Sequence, residues 1–143
     1  MKLVKACQSD VAGILKLHNE LFDYEYTYDN YANELALDLA DFMVLKNENS
    51  IVGYFIIHRI FEQLEIVMIG VALTYQNKGY GQFLFDYIIF LAKKYECSEI
   101  IIEVALTNQK ALTFYEKNDF SMISQRNDYY GKNKHALIYR KLV

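Results

Sequence analysis

At 143 residues, 53% hydrophobic and 23% charged, the chain has the size and balance of one globular domain spanning residues 1–143, able to bury roughly two thirds of its unfolded surface. A formal net charge of −3 excludes the Lys and Arg surplus on which general nucleic-acid binding depends, and it suits a cationic substrate better. No apolar run approaches the roughly twenty residues of a membrane span, and Gln8-Ser9-Asp10 interrupts the N-terminus too early for a secretory signal, so a cytoplasmic protein without membrane or nucleic-acid partners is expected.

Lys2 to Cys7 reads as a first strand, and Ser9 or Asp10 is placed to cap a helix whose apolar positions Val11, Ile14, Leu15, Leu17 and Leu21 follow helical spacing. Between Phe22 and Tyr31, five aromatic residues alternate with Asp23, Glu25 and Asp29; the spacing permits tyrosines packed on a sheet with solvated acids. Asp41 to Lys46, the turn Asn47-Glu48-Asn49-Ser50, and Ile51 to Ile60 form a hairpin, and a second turn near Glu62-Gln63 leads into an apolar central strand, Glu65 to Leu73. Gly70 within that strand marks a bulge or a close backbone approach. Phe83 to Tyr95 repeats apolar residues at helical spacing, Ser98 to Val104 is the next strand, and Asn108 to Asn118 the next helix. Phe120 to Arg126 and His135 to Leu142 pair as a closing hairpin. The order predicts a mixed α/β sheet of six or seven strands.

Cys7 and Cys97 lie far apart without metal-ligand spacing and are expected to be reduced and buried. His18, His58 and His135 have no Cys or acid partner at ligand spacing, so no metal is expected.

The run Tyr75-Gln76-Asn77-Lys78-Gly79-Tyr80-Gly81-Gln82 separates the central strand from the long helix. Two glycines permit a tight turn; they also let an anion approach the unpartnered first N–H groups of a helix, where the macrodipole is positive and Lys78 adds a cation. Leu84 stands where a dinucleotide fingerprint would have its third glycine, and no Gly-Lys-Ser/Thr is present, so neither a Rossmann fingerprint nor a P-loop fits.

Gln76-x-x-Gly79-x-Gly81 after a strand resembles the acyl-CoA pyrophosphate loop of the GNAT superfamily of N-acetyltransferases. The block from Glu103-Val104 through Asn108-x-x-Ala111, Tyr115-Glu116 and Phe120 resembles the downstream block of the same superfamily, most like its ribosomal-protein-alanine N-acetyltransferase branch. The resemblance implies the GNAT fold with a splayed central strand flanked by about four helices. It implies acetyl-CoA as cosubstrate, and as acceptor a protein or peptide N-terminus, in that branch a ribosomal protein. Ile69, Gly70 and Val71 would pair their backbone with pantetheine, with the Val71 N–H at the thioester oxyanion. The stretch Gln76, Asn77, Lys78, Gly79, Tyr80, Gly81 and Gln82 would hold the pyrophosphate, Asn108 and Ala111 the pantetheine arm, and the aromatic cluster after Phe22 the acceptor.

Amide formation from a thioester needs a base for the amine and a proton for the thiolate. Glu103, a carboxylate near the end of an apolar strand, is either bound to a neighbouring loop or, as the resemblance implies, the base; Glu65 on the central strand is the competing base. Asn108, Ala111 and Tyr115 share one helix face. On spacing alone Tyr115 is a core tyrosine, whereas the resemblance makes it the acid for the CoA sulfur. Acetylation of a small amine or a lysine side chain, and a CoA-binding module without turnover, are the rival functions. Two departures bear on the acceptor and the fold: Asn118-Asp119-Phe120 replaces x-Gly-Phe, and Lys134-His135-Ala136 stands where the branch has an acidic pair before Ala.

Overall fold

The computed structural model describes all 143 residues. Seven strands form one sheet: β1 (Lys2–Lys5), β2 (Ala40–Asn47), β3 (Ser50–Ile60), β4 (Gln63–Val71), β5 (Glu99–Ala105), β6 (Ser121–Arg126) and β7 (Ala136–Leu142), in the spatial order β1-β2-β3-β4-β5-β7-β6. Only β4 and β5 run parallel, because the helix between them carries the chain back across one face. This is the mixed sheet expected, with seven strands. No helix is long and apolar enough to cross a membrane.

Helix α1 (Val11–Leu21) buries Val11, Ile14 and Leu17, and helix α2 (Tyr28–Leu35) buries Tyr31. Both cover one face of the sheet through a cluster that includes Tyr54, Ile56 and Met68. Helices α3 (Tyr80–Lys94) and α4 (Gln109–Lys117) cover the other face, where Leu84, Phe85, Ile88 and Leu112 pack on Phe55, Ile57, Leu64, Ile100 and Ile102. Helix α2 goes beyond the elements read from sequence. It begins with a reciprocal cap, in which Thr27 Oγ1 accepts from the Asn30 N–H at 3.1 Å and Asn30 Oδ1 accepts from the Thr27 N–H at 2.9 Å.

Two expectations need correction, and a third, the bulge or close approach at Gly70, is settled in favour of the close approach. Asp10 stands at the N-cap position of α1, but its side chain does not cap the helix; the carboxylate reaches back to the Cys7 N–H at 2.9 Å and pairs with Lys46 at 2.6 Å, closing a single 3₁₀ turn. Cys7 is exposed rather than buried, because its strand ends at Lys5, whereas Cys97 is buried. The bulge of β4 falls at Val67 instead of Gly70. Ile57 pairs with Ile66 and Ile56 with Met68, which leaves Val67 unpaired, while Gly70 stays in register opposite Tyr54. Gly70 is instead a point of close approach: a Cβ there would lie 2.9 Å from Leu21 Cδ1.

The bulge has two effects that position the site. Side chains alternate across a strand, and one extra residue inverts the alternation. Leu64 and Ile66 therefore face α3, Met68 faces α1, and Ile69 and Val71 face α3 again. Beyond the bulge, β4 also leaves β5. Their pairing ends at Ile66 opposite Ile102, although β4 continues to Val71 and β5 to Ala105. The sheet is split there, and the backbone of Met68 to Val71 borders a gap.

Asp119, which stands in place of a glycine, has φ 68°, the left-handed conformation that aspartate tolerates.

Candidate active site

On the α3 side of the gap, a cleft of about 500 Å³ runs from Ile69 and Val71 past the β4–α3 loop to α4. Its loop end is built for an anion. Gly79 caps α3 in the left-handed conformation at φ 90°, and nothing lies within 4 Å of where its Cβ would stand. The first bond into α3 runs from the Phe83 N–H to the Gly79 carbonyl at 3.0 Å, which leaves the N–H groups of Tyr80, Gly81 and Gln82 without a partner in the chain. Three adjacent donors at the positive end of a 15-residue helix fit a pyrophosphate.

Gln76 braces this loop from inside: its Nε2 donates to the Val71 carbonyl at 2.9 Å, and its Oε1 accepts from Lys110. Asn108 caps α4 by accepting from the Ala111 N–H at 3.2 Å and stands on the cleft with Ala111 and Tyr115. Thus Ile69, Val71, Gln76, Asn77, Gly79, Gly81, Gln82, Asn108, Ala111 and Tyr115 come together around one cleft. Gly70, Lys78 and Tyr80 do not line it. Gly70 is covered by Leu21 and Phe22, Tyr80 packs edge-on against Tyr75, and the Lys78 ammonium sits 5.9 Å from the Tyr75 ring. Lys110 and Lys117, seven residues apart on α4, line the cleft and supply cations that sequence reasoning missed; their helical spacing was the available signal.

Tyr115 is buried against Phe85, Phe114 and Phe120, with ring centroids 5.1–6.4 Å away. Burial pushes its phenol well above the ordinary tyrosine value, so it stays protonated through the neutral range. Its hydroxyl makes no hydrogen bond within the protein.

Across the gap lies a smaller pocket of about 240 Å³. Its floor is β4 and β5, which contribute Glu65, Met68 and Glu103; its walls are Tyr24 and Tyr26 from the α1–α2 segment and Tyr129 and Tyr130 from the β6–β7 connection. The two competing carboxylates are therefore in one pocket. Burial pushes the Glu65 carboxyl up, opposed by His58, its cross-strand partner. Glu103 pairs with Arg126 at 2.8 Å. This partner is a side chain, rather than the loop backbone considered from sequence. Burial also raises Tyr24 and Tyr26 to about 12, which keeps that wall uncharged.

The wall is held from behind. His18 is fully buried, with Nε2 2.8 Å from the Tyr24 carbonyl and Nδ1 2.8 Å from the Tyr31 hydroxyl, which is 2.5 Å from the Tyr54 hydroxyl. A carbonyl only accepts, so Nε2 carries the proton to Tyr24. Tyr26 reaches Glu34 at 3.4 Å, and Glu34 pairs with His58 at 2.6 Å. His18 and His58 thus have structural partners, and no group of three or more metal-ligating side chains is present.

The profile of the acetyltransferase (GNAT) family matches residues 11–120. The chain is 27% identical over 130 residues to the [ribosomal protein bS18]-alanine N-acetyltransferase of Haemophilus influenzae, covering 90% of this chain and 86% of that protein. It is 28% identical over 150 residues to an N-alpha-acetyltransferase of Saccharolobus solfataricus, with 95% and 89% covered. The crystal structure of the ribosomal-protein-S18-alanine N-acetyltransferase from Escherichia coli superposes with a TM-score of 0.89 at 17% identity, over 99% of this chain and 93% of that one.

Proposed function

The chain belongs to the acetyltransferase (GNAT) family, and from that premise we propose that it moves acetyl from acetyl-CoA to the N-terminal α-amine of a protein, a ribosomal protein in the first instance. One observation carries this reading. Where β4 leaves β5, a cleft with a ready anion cradle and a pocket with two carboxylates border consecutive β4 residues, Ile69 and Met68, so an anionic donor and a cationic acceptor would approach the same gap.

The residues fit acetyl-CoA. The free N–H groups of Tyr80 to Gln82 take the pyrophosphate, Lys110 and Lys117 add cations, and the Met68 to Val71 backbone at the gap offers donors and acceptors to the pantetheine arm. Bound there, acetyl-CoA supplies an activated acyl carbon at the opening between the strands.

An α-ammonium entering the second pocket is attracted by Glu65 and Glu103 and packed by the four tyrosines. Glu103 accepts its proton through a water, which leaves a neutral amine to attack directly; Glu65 is the second candidate for that task. Tyr115 donates its proton to the leaving sulfur. Since burial makes the tyrosinate costly, the proton is shared as the C–S bond breaks rather than released beforehand. The peptide reading is supported by the size and aromatic walls of the pocket, which suit a chain end entering amine first, and by the relatives' activity on N-termini.

The test is CoA thiol release from acetyl-CoA with a ribosomal N-terminal peptide, peptides beginning with small residues, and polyamines. Turnover of peptides and not polyamines is expected, with a loss of about a hundredfold or more in Glu103→Gln and Tyr115→Phe. A protein that binds acetyl-CoA yet acetylates only polyamines or lysine side chains would refute the acceptor assignment.

A further inference from the structure

The β6–β7 connection, residues 127–135, is tied to itself. The Tyr130 N–H donates to the Lys134 carbonyl at 2.9 Å, the Asn133 N–H to Asp128 Oδ1 at 2.7 Å, and the Asp128 N–H to His135 Nδ1 at 2.9 Å. It nevertheless carries Tyr129 and Tyr130, half the aromatic wall of the acceptor pocket, and springs from an edge strand that is exposed along its whole length. At the hinge between that strand and the wall stands Arg126. Its guanidinium meets Glu103 Oε1 at 2.8 Å and lies 5.3 Å from the Tyr129 ring centroid, while the Tyr129 phenol sits beside the same carboxylate. Tyr130 then packs edge-on against Tyr129 at 5.0 Å.

We propose that Arg126 is a positioning residue for acceptor transfer: with one planar cation it fixes the Glu103 carboxylate at Oε1 and seats Tyr129 and Tyr130 as the far wall of the acceptor pocket. This rests on the acceptor reading above and extends it to a residue that touches neither the thioester nor the amine. Arginine suits the task because its planar fork bonds a carboxylate with its edge and covers an aromatic ring with its face, which an ammonium does less well. Arg126 is half-exposed, so the ion pair adds little to overall stability, and its removal reads out in the pocket rather than in the fold.

Arg126→Ala is expected to lower kcat/KM for the peptide about ten- to hundredfold, the worth of one charge-assisted hydrogen bond, with the affinity for acetyl-CoA unchanged. Guanidinium chloride, well below its unfolding range, should restore part of the loss in Arg126→Ala and none in Glu103→Gln. Arg126→Lys should fall between wild type and alanine. Independently of turnover, trypsin should cut the alanine variant faster after the exposed Lys132 and Lys134, because the connection has lost its tether. Unchanged cleavage at both lysines, or a kinetic loss that guanidinium does not touch, overturns the proposal. If wild type acetylates no peptide, the acceptor reading has failed, and the cleavage rates still decide whether Arg126 holds the wall.

Discussion

Gly79 and Gly81 stand two residues apart at the start of α3, and replacing each by alanine should change the protein in opposite directions. Gly79 has φ 90°, where a side chain costs about 1–2 kcal/mol, and nothing surrounds the new methyl to offset that cost. Gly81 is helical, and its nearest neighbour to a new Cβ is Val71 Cγ2 at 4.0 Å, an ordinary contact. Alanine there removes unfolded-chain freedom and should add roughly 0.5–1 kcal/mol. In thermal unfolding followed by circular dichroism, Gly79→Ala should melt several degrees lower and Gly81→Ala a degree or more higher, about 2–4 °C per kcal/mol for a domain of this size. Calorimetric titration with acetyl-CoA supplies the second axis. The Gly79 methyl would enter the space in front of the free N–H groups, so affinity should fall about tenfold or more, as when a charge-assisted hydrogen bond is lost. A Gly79→Ala protein that keeps both its melting temperature and its affinity would refute the cradle, and a destabilised Gly81→Ala would refute the helix-start assignment.

Gly53→Ala should cost about 1–3 kcal/mol in urea unfolding, because its Cβ would lie 2.8 Å from the Gly70 carbonyl, a backbone atom that cannot rotate away. At Asp10, burial alone would raise the carboxyl, but the Lys46 ammonium and the Cys7 N–H and thiol outweigh it and hold the carboxyl below its usual 3.8. Its contribution is therefore present above pH 3.8 and lost as pH falls through the lowered value, so the stability gap between wild type and Asp10→Asn should be full at neutral pH and close on acidification. His18→Phe should lower stability by about 1–3 kcal/mol, since it leaves the part-buried Tyr24 carbonyl without its donor and the buried Tyr31 hydroxyl without its His18 partner, and should raise the acceptor KM more than that of acetyl-CoA. Equal effects on the two KM values would argue against His18 as the support of the Tyr24 wall.

The strands and helices α1, α3 and α4 were legible because their apolar periods are regular, and the loop between β4 and α3 because its glycines interrupt them. Helix α2 was hidden by its own chemistry: Tyr28 to Leu35 has only Ala32 and Leu35 as apolar residues beside its two tyrosines, and its one start signal, Thr27 with Asn30, is a capping box written with Asn instead of Glu or Gln. Gly70 signals a bulge or a close approach because glycine is what a sequence shows, and it makes the close approach; Val67, an ordinary strand residue, is pushed out by the register of β3 against β4, which no local pattern encodes. Glu103 and Glu65 could be ranked as bases by motif and burial. That Arg126 would meet Glu103 depends on β7 entering the sheet between β5 and β6, which brings residues 23 positions apart to one rim.

The extra residue at Val67 also bears, on the proposed reading, on how large an acceptor can be. It sends Ile69 and Val71 to one side of the sheet while Glu65 and Met68 remain on the other, so on the proposed reading donor and acceptor come to the opening between the strands from different directions. Nothing of the acceptor beyond its first few atoms has to pass the cofactor. If the proposed function holds, a folded protein need present only its chain end to the pocket.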